Sequence, residues 1–264
     1  MGVSHRCTPA PQIGNEVDMT DPRTVVIFGA SGGIGRALVE TYAGMSAVET
    51  VHAVSRGGDI SFEGSPAGQE KIAQHQADIT SDSDLEALAT RIGAAEMVIV
   101  ATGILTDQET GLSPEKSYRH QDKAAFEQVF GINTIGPALV AKHFLGRMPR
   151  KGRTVFAALA ARVGSISDNG LGGWHAYRAS KAALCMLMRN YAIEVARKNE
   201  DAICVCLHPG TVDTGLSAPF QGNVPEGKLF TPEYSAKCLA SVLSQLTPKD
   251  SGKQFDWAGA EVPA

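Results

Sequence analysis

Tyr177 and Lys181 stand four residues apart in the segment Tyr177-Arg178-Ala179-Ser180-Lys181. On a helix that spacing puts both side chains on one face. A free phenol has a pKa of about 10. A neighbouring ammonium favours the phenolate and lowers that value. Such a phenol can give a proton to an oxygen that gains charge, or take one from an alcohol. Tyr-x-x-x-Lys alone also arises by chance on surface helices, so the surrounding elements decide what it means.

A second group of residues could hold a phosphate. Gly29-Ala30-Ser31-Gly32-Gly33-Ile34-Gly35 follows the apolar run Thr24-Val25-Val26-Ile27-Phe28 and opens a segment with helical spacing of Ile34, Ala37, Leu38, Thr41 and Tyr42. A helix start presents free N–H groups and the positive end of its dipole, and glycines let an anion approach them. The plain alternative is a structural turn, which the strand–turn–helix order argues against. A third group comes after the next apolar run, where the chain reads Val54-Ser55-Arg56-Gly57. A carboxylate at such a strand end would accept from a ribose 2′-hydroxyl. Arg56 instead offers a planar fork suited to a 2′-phosphate, and Arg36 could add to it. The spacing therefore predicts NADP(H) rather than NAD(H), with Arg56 as a solvated loop charge the alternative. Asp59 keeps NAD(H) open.

These groups need a scaffold. Apolar runs at 24–28, 51–55, 72–76, 97–101, 154–158 and 203–207 read as strands, with a further short one at 254–256. Helical patterns separate them: one opened by Ser81 as N-cap with Asp84 three residues on, a long one over 122–147 carrying Phe126, Val129, Phe130 and Leu139, one over 174–198 and one over 232–246. Alternating strands and helices predict a single doubly wound α/β domain of Rossmann type, with a parallel sheet of about seven strands. The expected domain covers 22–264. Residues 1–21 read as a flexible extension without the apolar core of a secretory signal.

A chain of 264 residues with 43% hydrophobic and 20% charged residues has ordinary globular composition. A formal charge of −4 speaks against a nucleic-acid surface. No run of about 18 apolar residues predicts a membrane span. The five cysteines have no Cys-x-x-Cys or zinc spacing and suit a reducing cytoplasm. Cys204 and Cys206 read as two small buried side chains on one face of a strand.

The glycine turn, the Tyr177 motif placed after the fifth strand, and His208-Pro209-Gly210-Thr211-Val212-Asp213-Thr214 resemble the short-chain dehydrogenase/reductase family over about residues 22–258. Arg162-Val163-Gly164-Ser165-Ile166-Ser167-Asp168-Asn169, followed by Gly172-Gly173-Trp174, is most similar to its C-factor-like, carbonyl reductase branch. The resemblance implies cofactor contacts at Gly29, Ser31, Gly33, Ile34 and Gly35, at Asp78 and Ile79 for adenine, at Gly103, and at Pro209, Gly210, Thr211 and Thr214. It implies that Lys181 holds the cofactor ribose while lowering the Tyr177 pKa, and that Asn133 positions a relay water. It also implies homodimers or homotetramers built through the helices at 122–147 and 174–198.

The chain departs from the family pattern in three places. Ala101-Thr102-Gly103 replaces Asn-Ala-Gly, and Cys185 stands where relatives carry Asn. The family's catalytic serine falls at Ala160 or Ala161, neither with a hydroxyl. Ser165, twelve residues before Tyr177, could serve the substrate oxygen instead, or be a structural hydroxyl of its turn. Loss of one oxyanion donor costs about 10²–10³ in rate. The expected activity is hydride transfer between NADPH and a small-molecule carbonyl or alcohol, with 215–230 as a mobile lid. The alternative is an NADP-binding regulatory or signalling protein with little catalysis.

Overall fold

The computed structural model describes residues 21–58, 60–62 and 68–264. Nearly all of the expected extension, and Asp59, lie outside them. The Thr24–Phe28 strand (β1) has four consecutive buried residues, as a strand covered on both faces must. Beside it lie β2 (Thr50–Ser55), β3 (Ile72–Gln76), β4 (Met97–Val100), β5 (Thr154–Leu159) and β6 (Ala202–His208). The short pair β7 (Thr211–Val212) and β8 (Leu229–Phe230) stands apart, and β9 (Gln254–Asp256) and β10 (Glu261–Val262) end the chain.

The main sheet runs β10-β9-β6-β5-β4-β1-β2-β3. Seven neighbouring strands are parallel, as expected. The eighth, β10, is an antiparallel edge strand that the apolar pattern does not reveal, with Glu261 opposite Phe255. Two residues of strand are too few for a period-two pattern to register. Strand order reverses between β1 and β4, and ligands of open α/β sheets bind at the carboxyl ends of the strands at such a switch point.

Among the described residues six α-helices cover the faces: α1 (Gly33–Ala43), α2 (Asp82–Ile92), α3 (Lys123–Phe130), α4 (Gly136–Phe144), α5 (His175–Ala196) and α6 (Pro232–Gln245). On one face Val25 and Ile27 pack with Leu38 and Tyr42 of α1 and Leu239 and Leu243 of α6. On the other, Val26 and Phe28 pack with Leu85 of α2, Phe144 of α4, and Leu184 and Met188 of α5. Cys204 and Cys206 belong to that second layer, both buried and unbridged. Ser81 caps α2 as expected, its Oγ accepting the Asp84 N–H at 3.3 Å.

The helix expected over 122–147 is broken. A π-helical turn, Gly131–Ile135, separates α3 from α4 and contains Asn133. Such turns insert one residue and re-aim the side chains inside them. The 215–230 segment, expected as a lid, contains regular structure. It holds a 3₁₀ turn, Ala218–Asn223, and β8, which pairs with β7.

Candidate active site

The first two turns of α5 carry Tyr177 and Lys181 to the carboxyl edge of β4 and β5, and the π-helical turn brings Asn133 to meet them. All three are buried, at 7%, 3% and 0% exposure. The Asn133 amide is fully used. Its Oδ1 accepts the Ile104 N–H at 2.8 Å, and its Nδ2 donates to the Ile104 carbonyl at 2.9 Å and to Ser180 Oγ at 3.2 Å. Ser180 in turn donates to the Tyr177 carbonyl at 2.8 Å. The Lys181 ammonium donates to the Leu159 carbonyl at the end of β5, 2.7 Å away, and lies 5.9 Å from the centroid of the Tyr177 ring.

Burial dominates the titration of this pair. It pushes the Tyr177 phenol up to about 12 and the Lys181 ammonium down to about 8. The lowering of the phenol expected from Lys181 is absent here, because the desolvation of a fully enclosed phenol outweighs a lysine whose charge is turned to a carbonyl. Gly103 lies against the pair: a Cβ there would stand 3.6 Å from both Asn133 Oδ1 and Lys181 Nζ.

The end of β5 is where the sequence lacks the family's hydroxyl. Ala160 belongs to the core under α5. Ala161 instead packs in one apolar cluster with Leu105 and Tyr177, with Val163, Trp174, Leu216 and Phe220 against them. Of the two alanines, Ala161 is the one that shares a cluster with Tyr177. Ser165 is buried, and its Oγ accepts the Asp168 N–H at 3.1 Å, inside its own turn. Gly164 lets that turn lie directly on α5, since a Cβ there would come within 2.7 Å of Lys181 Cβ.

The start of α5 is held from outside. Trp174, the N-cap, is in the left-handed region at φ 51° and gives no side-chain cap. Glu115, buried in the loop after β4, supplies the cap instead. Its carboxylate accepts the Ala176 N–H at 3.2 and 3.3 Å, and its carbonyl accepts the Trp174 N–H at 2.6 Å. No sequence pattern marks Glu115, which lies in a stretch without periodicity. The Trp174 ring leans on Phe220 at 4.8 Å and on Tyr177 at 6.2 Å, edge to face in the second case.

Across the switch point, the glycine turn forms a cradle that only glycines fit. Gly29 has φ 83°, and a Cβ there would press on the backbone of Ala101 and Thr102 at 3.0 Å. A Cβ on Gly35 would strike the Gly29 carbonyl at 2.1 Å. Ser31, Gly32 and Gly33 are exposed, and α1 begins at Gly33 with no side-chain cap and no acid in its first turn. This open N-terminus suits a pyrophosphate. Thr214 stands over it, its Cγ2 2.8 Å from where a Gly33 Cβ would be, so the end of the Pro209-Gly210 segment and the glycine turn share one cleft. Ile34 is partly buried against the core. Gly210 has φ 82° and lies against Phe230 and Trp257. The Pro209 carbonyl accepts Ser235 Oγ at 2.8 Å, and Thr211 is exposed on β7. The preceding His208 is lowered to about 4 by burial, so its imidazole is neutral at pH 7.

At the outer end of the cleft Arg56 is exposed just past β2, close enough to lower the Asp78 carboxyl, though the Thr80 N–H and hydroxyl do so more strongly. Asp78 turns inward to Thr80 at 2.8 and 2.7 Å, and Ile79 is buried against Gly136. Arg36 is engaged elsewhere. Its Nε lies 3.1 Å from Glu40, and its guanidinium sits over the Phe62 ring at 5.9 Å. Among the described residues there is no cluster of metal-ligating side chains and no helix long and apolar enough to cross a membrane.

The family model for short chain dehydrogenases matches residues 23–224. The C-signal protein of Myxococcus xanthus is 34% identical over 142 residues, covering 54% of this chain and 80% of that protein. The 1-hydroxy-2-glutathionyl-2-methyl-3-butene dehydrogenase of Rhodococcus sp. is 30% identical over 240 residues, covering 87% and 94%. A carbonyl reductase from Pseudomonas aeruginosa superposes with a TM-score of 0.71 at 25% identity, covering 92% of this chain and 100% of that one. The NADPH-bound carbonyl reductase from chicken fatty liver shares the fold at a TM-score of 0.74 and 24% identity, covering 92% and 94%. A glycine cradle at the switch point, a buried Tyr177–Lys181 pair beside it and these likenesses together make the chain a member of the short-chain dehydrogenase/reductase family, an NAD(P)-dependent oxidoreductase.

Proposed function

We propose that the protein reduces a small carbonyl compound with NADPH. The observation that carries this reading is the buried Tyr177–Lys181 pair, with Lys181 Nζ 5.9 Å from the Tyr177 ring and the glycine cradle across the switch point; burial keeps the phenol protonated. A protonated phenol beside the substrate cleft is a proton donor, which is what reduction needs. The cofactor, when bound, supplies hydride to the carbonyl carbon. Tyr177 gives its proton to the oxygen, Lys181 holds the cofactor ribose, and Asn133 braces Ile104 and Ser180 and sets a relay water. Gly29, Ser31, Gly33, Ile34 and Gly35 bind the pyrophosphate. Asp78 and Ile79 border the adenine, Gly103 the ribose, and Pro209, Gly210, Thr211 and Thr214 the nicotinamide amide.

NADPH over NADH follows from Arg56 at a strand end without an acid, with Arg36 a lesser contributor because it is paired with Glu40. The likeness to proteins named carbonyl reductase and dehydrogenase supports carbonyl–alcohol chemistry. NADPH oxidation with a panel of aldehydes, ketones and quinones tests the reading. Tyr177→Phe is expected to abolish turnover while NADPH still binds; retained turnover overturns the mechanism.

A second reading rests on Ala161 and on the likeness to C-signal: a cofactor-binding signalling protein with little catalysis. It predicts NADPH binding with no turnover on any carbonyl.

We place the catalytic domain at 22–264 and the protein in the cytoplasm, where the thiols of Cys185, Cys204 and Cys206 stay reduced. Met186 and Ile193 of α5 and Ile135 of the π-helical turn are exposed and apolar. They support a homodimer or homotetramer through α3, α4 and α5, and a strict monomer by sedimentation overturns it.

A further inference from the structure

We infer that Cys185 and Cys206 are a redox pair beside the active site: peroxide oxidises Cys185, Cys206 closes a disulfide with it, and the bond loosens the grip of Lys181 on the cofactor. The bond itself stands apart from the reading of Tyr177. Its effect on the cofactor rests on the role proposed for Lys181.

The pair lies directly behind the lysine. Cys185 is one turn along α5 from Lys181 and on the same face. On the sheet beneath, Cys206 of β6 stands in register with Gln254 of β9. Adjacent strands lie about 4.8 Å apart, and residues in register point to the same side. Cys206 belongs to the layer that packs under α5, and Cys185 packs against that layer. The Cys185 thiol also donates to Gln254 Oε1 at 3.2 Å. Cys204, two residues back on β6, lines the cavity between α4 and α5 with Tyr191 instead.

Gln254 gives a second, independent sign. Its side chain is 7% exposed, and its Nε2 is buried without a hydrogen-bond partner. Turned over, the amide presents that donor to Cys185. A thiolate needs such a donor and a thiol does not. Cys206 and Lys181 act in the same direction. The hydrogen bond with Cys206, and then the lysine charge, hold Cys185 below the usual cysteine range against the opposing effect of burial. The same hydrogen bond and burial raise Cys206. Cys185 is thus the attacking thiol and Cys206 the resolving one. Cys185 is half-buried on the flank of α5 that meets β9, where Arg189, one turn on, donates to the Ser251 carbonyl at 3.4 Å. A local opening suffices for a molecule as small as hydrogen peroxide.

The steps balance. The Cys185 thiolate attacks one peroxide oxygen, the O–O bond breaks, and the released hydroxide takes up a proton as water. Cys185 is now a sulfenic acid. The charge that raised Cys206 is gone, so the Cys206 sulfur attacks the Cys185 sulfur. The S–S bond forms, the S–O bond breaks, and the hydroxyl leaves as water with the Cys206 proton. Two thiols and one peroxide give one disulfide and two waters.

The product ties α5 to β6 one turn from Lys181. In the reduced protein Lys181 Nζ donates to the Leu159 carbonyl at 2.7 Å, and Leu159 is in register with Leu207, the residue after Cys206. Drawing two sulfurs to a bond of about 2 Å shifts that turn of α5 against the sheet and moves Nζ off its carbonyl. Disulfides of cytosolic proteins are mostly of this transient, sensing kind.

Full-length protein, reduced and then treated with a small excess of hydrogen peroxide, tests this by peptide mapping without reductant. A peptide linking Cys185 to Cys206 is expected, dissolved by dithiothreitol. The NADPH dissociation constant, read by nicotinamide fluorescence, should rise several-fold on oxidation and return on reduction. Cys206→Ser should stop at the sulfenic acid, trapped on Cys185 by dimedone. Cys185→Ser should bind NADPH equally before and after peroxide. Cys185 left unmodified in the wild type, or linked to any thiol other than Cys206, overturns the inference. A loss of NADPH binding that persists in Cys185→Ser, or a disulfide that leaves NADPH binding unchanged, overturns the link to Lys181.

Discussion

The Glu115 carboxylate accepts the backbone N–H of Ala176, one residue before Tyr177, across 61 positions of chain. A buried carboxylate at a helix start is favoured by the free N–H groups and the dipole. Here it does more than complete a cap, because Trp174 is held left-handed by the same loop and leans on the Tyr177 ring. Glu115 is thus a positioning residue for the phenol. Glu115→Ala should lower stability by about 1 kcal/mol, as loss of a cap usually does, and lower kcat several-fold with NADPH affinity unchanged. Glu115→Gln keeps an acceptor and should restore kcat. Equal kcat in Glu115→Ala and wild type counts against the positioning role.

Lys181 sets a pH dependence of cofactor binding. Its ammonium is lowered to about 8 by burial, so the charged form prevails below that pH and is lost above it. NADPH phosphates finish titrating near a second pKa of about 6. The NADPH dissociation constant, followed by nicotinamide fluorescence, should therefore be flat around pH 7 to 7.5 and rise through pH 8 to 9.5. A constant value across that range removes Lys181 from the cofactor site.

On the proposed pairing of the Arg56 guanidinium with the 2′-phosphate, Arg56→Ala should weaken NADPH about tenfold or more and leave NADH nearly unchanged. Titration of both cofactors decides it. Equal NADPH and NADH affinities in the wild type reject the assignment.

Ser165→Ala should leave kcat nearly unchanged and cost about 1 kcal/mol of stability, because the hydroxyl caps the Asp168 N–H. A drop in kcat of about 10² would instead make Ser165 the oxyanion donor.

Gly164→Ala should be worse than Ser165→Ala. The added Cβ would press on the Lys181 Cβ and on the α5 backbone at 3.1 Å. Overpacking of this kind costs about 1–3 kcal/mol, and it displaces the helix that carries Tyr177. Thermal unfolding and kcat should both fall; a neutral substitution would mean that the turn yields freely.

Features set by local spacing were legible in the sequence. The parallel strands could be read from apolar runs, because a strand buried on both faces needs a continuous one. The tight glycine turn that opens α1 could be read from the glycines directly after the first of them. The Tyr177–Lys181 face needed only the helical period. Tertiary structure decided what depended on distant chain. Asn133 reaches Ile104 only because a π-helical turn breaks what reads as one helix. Glu115 has meaning only against Ala176. Ala160 and Ala161 are alike in sequence, and packing alone sends one into the core under α5 and the other into the cluster of Leu105 and Tyr177. The phenol rises rather than falls because burial, which depends on every neighbour at once, outweighs a single lysine four residues away.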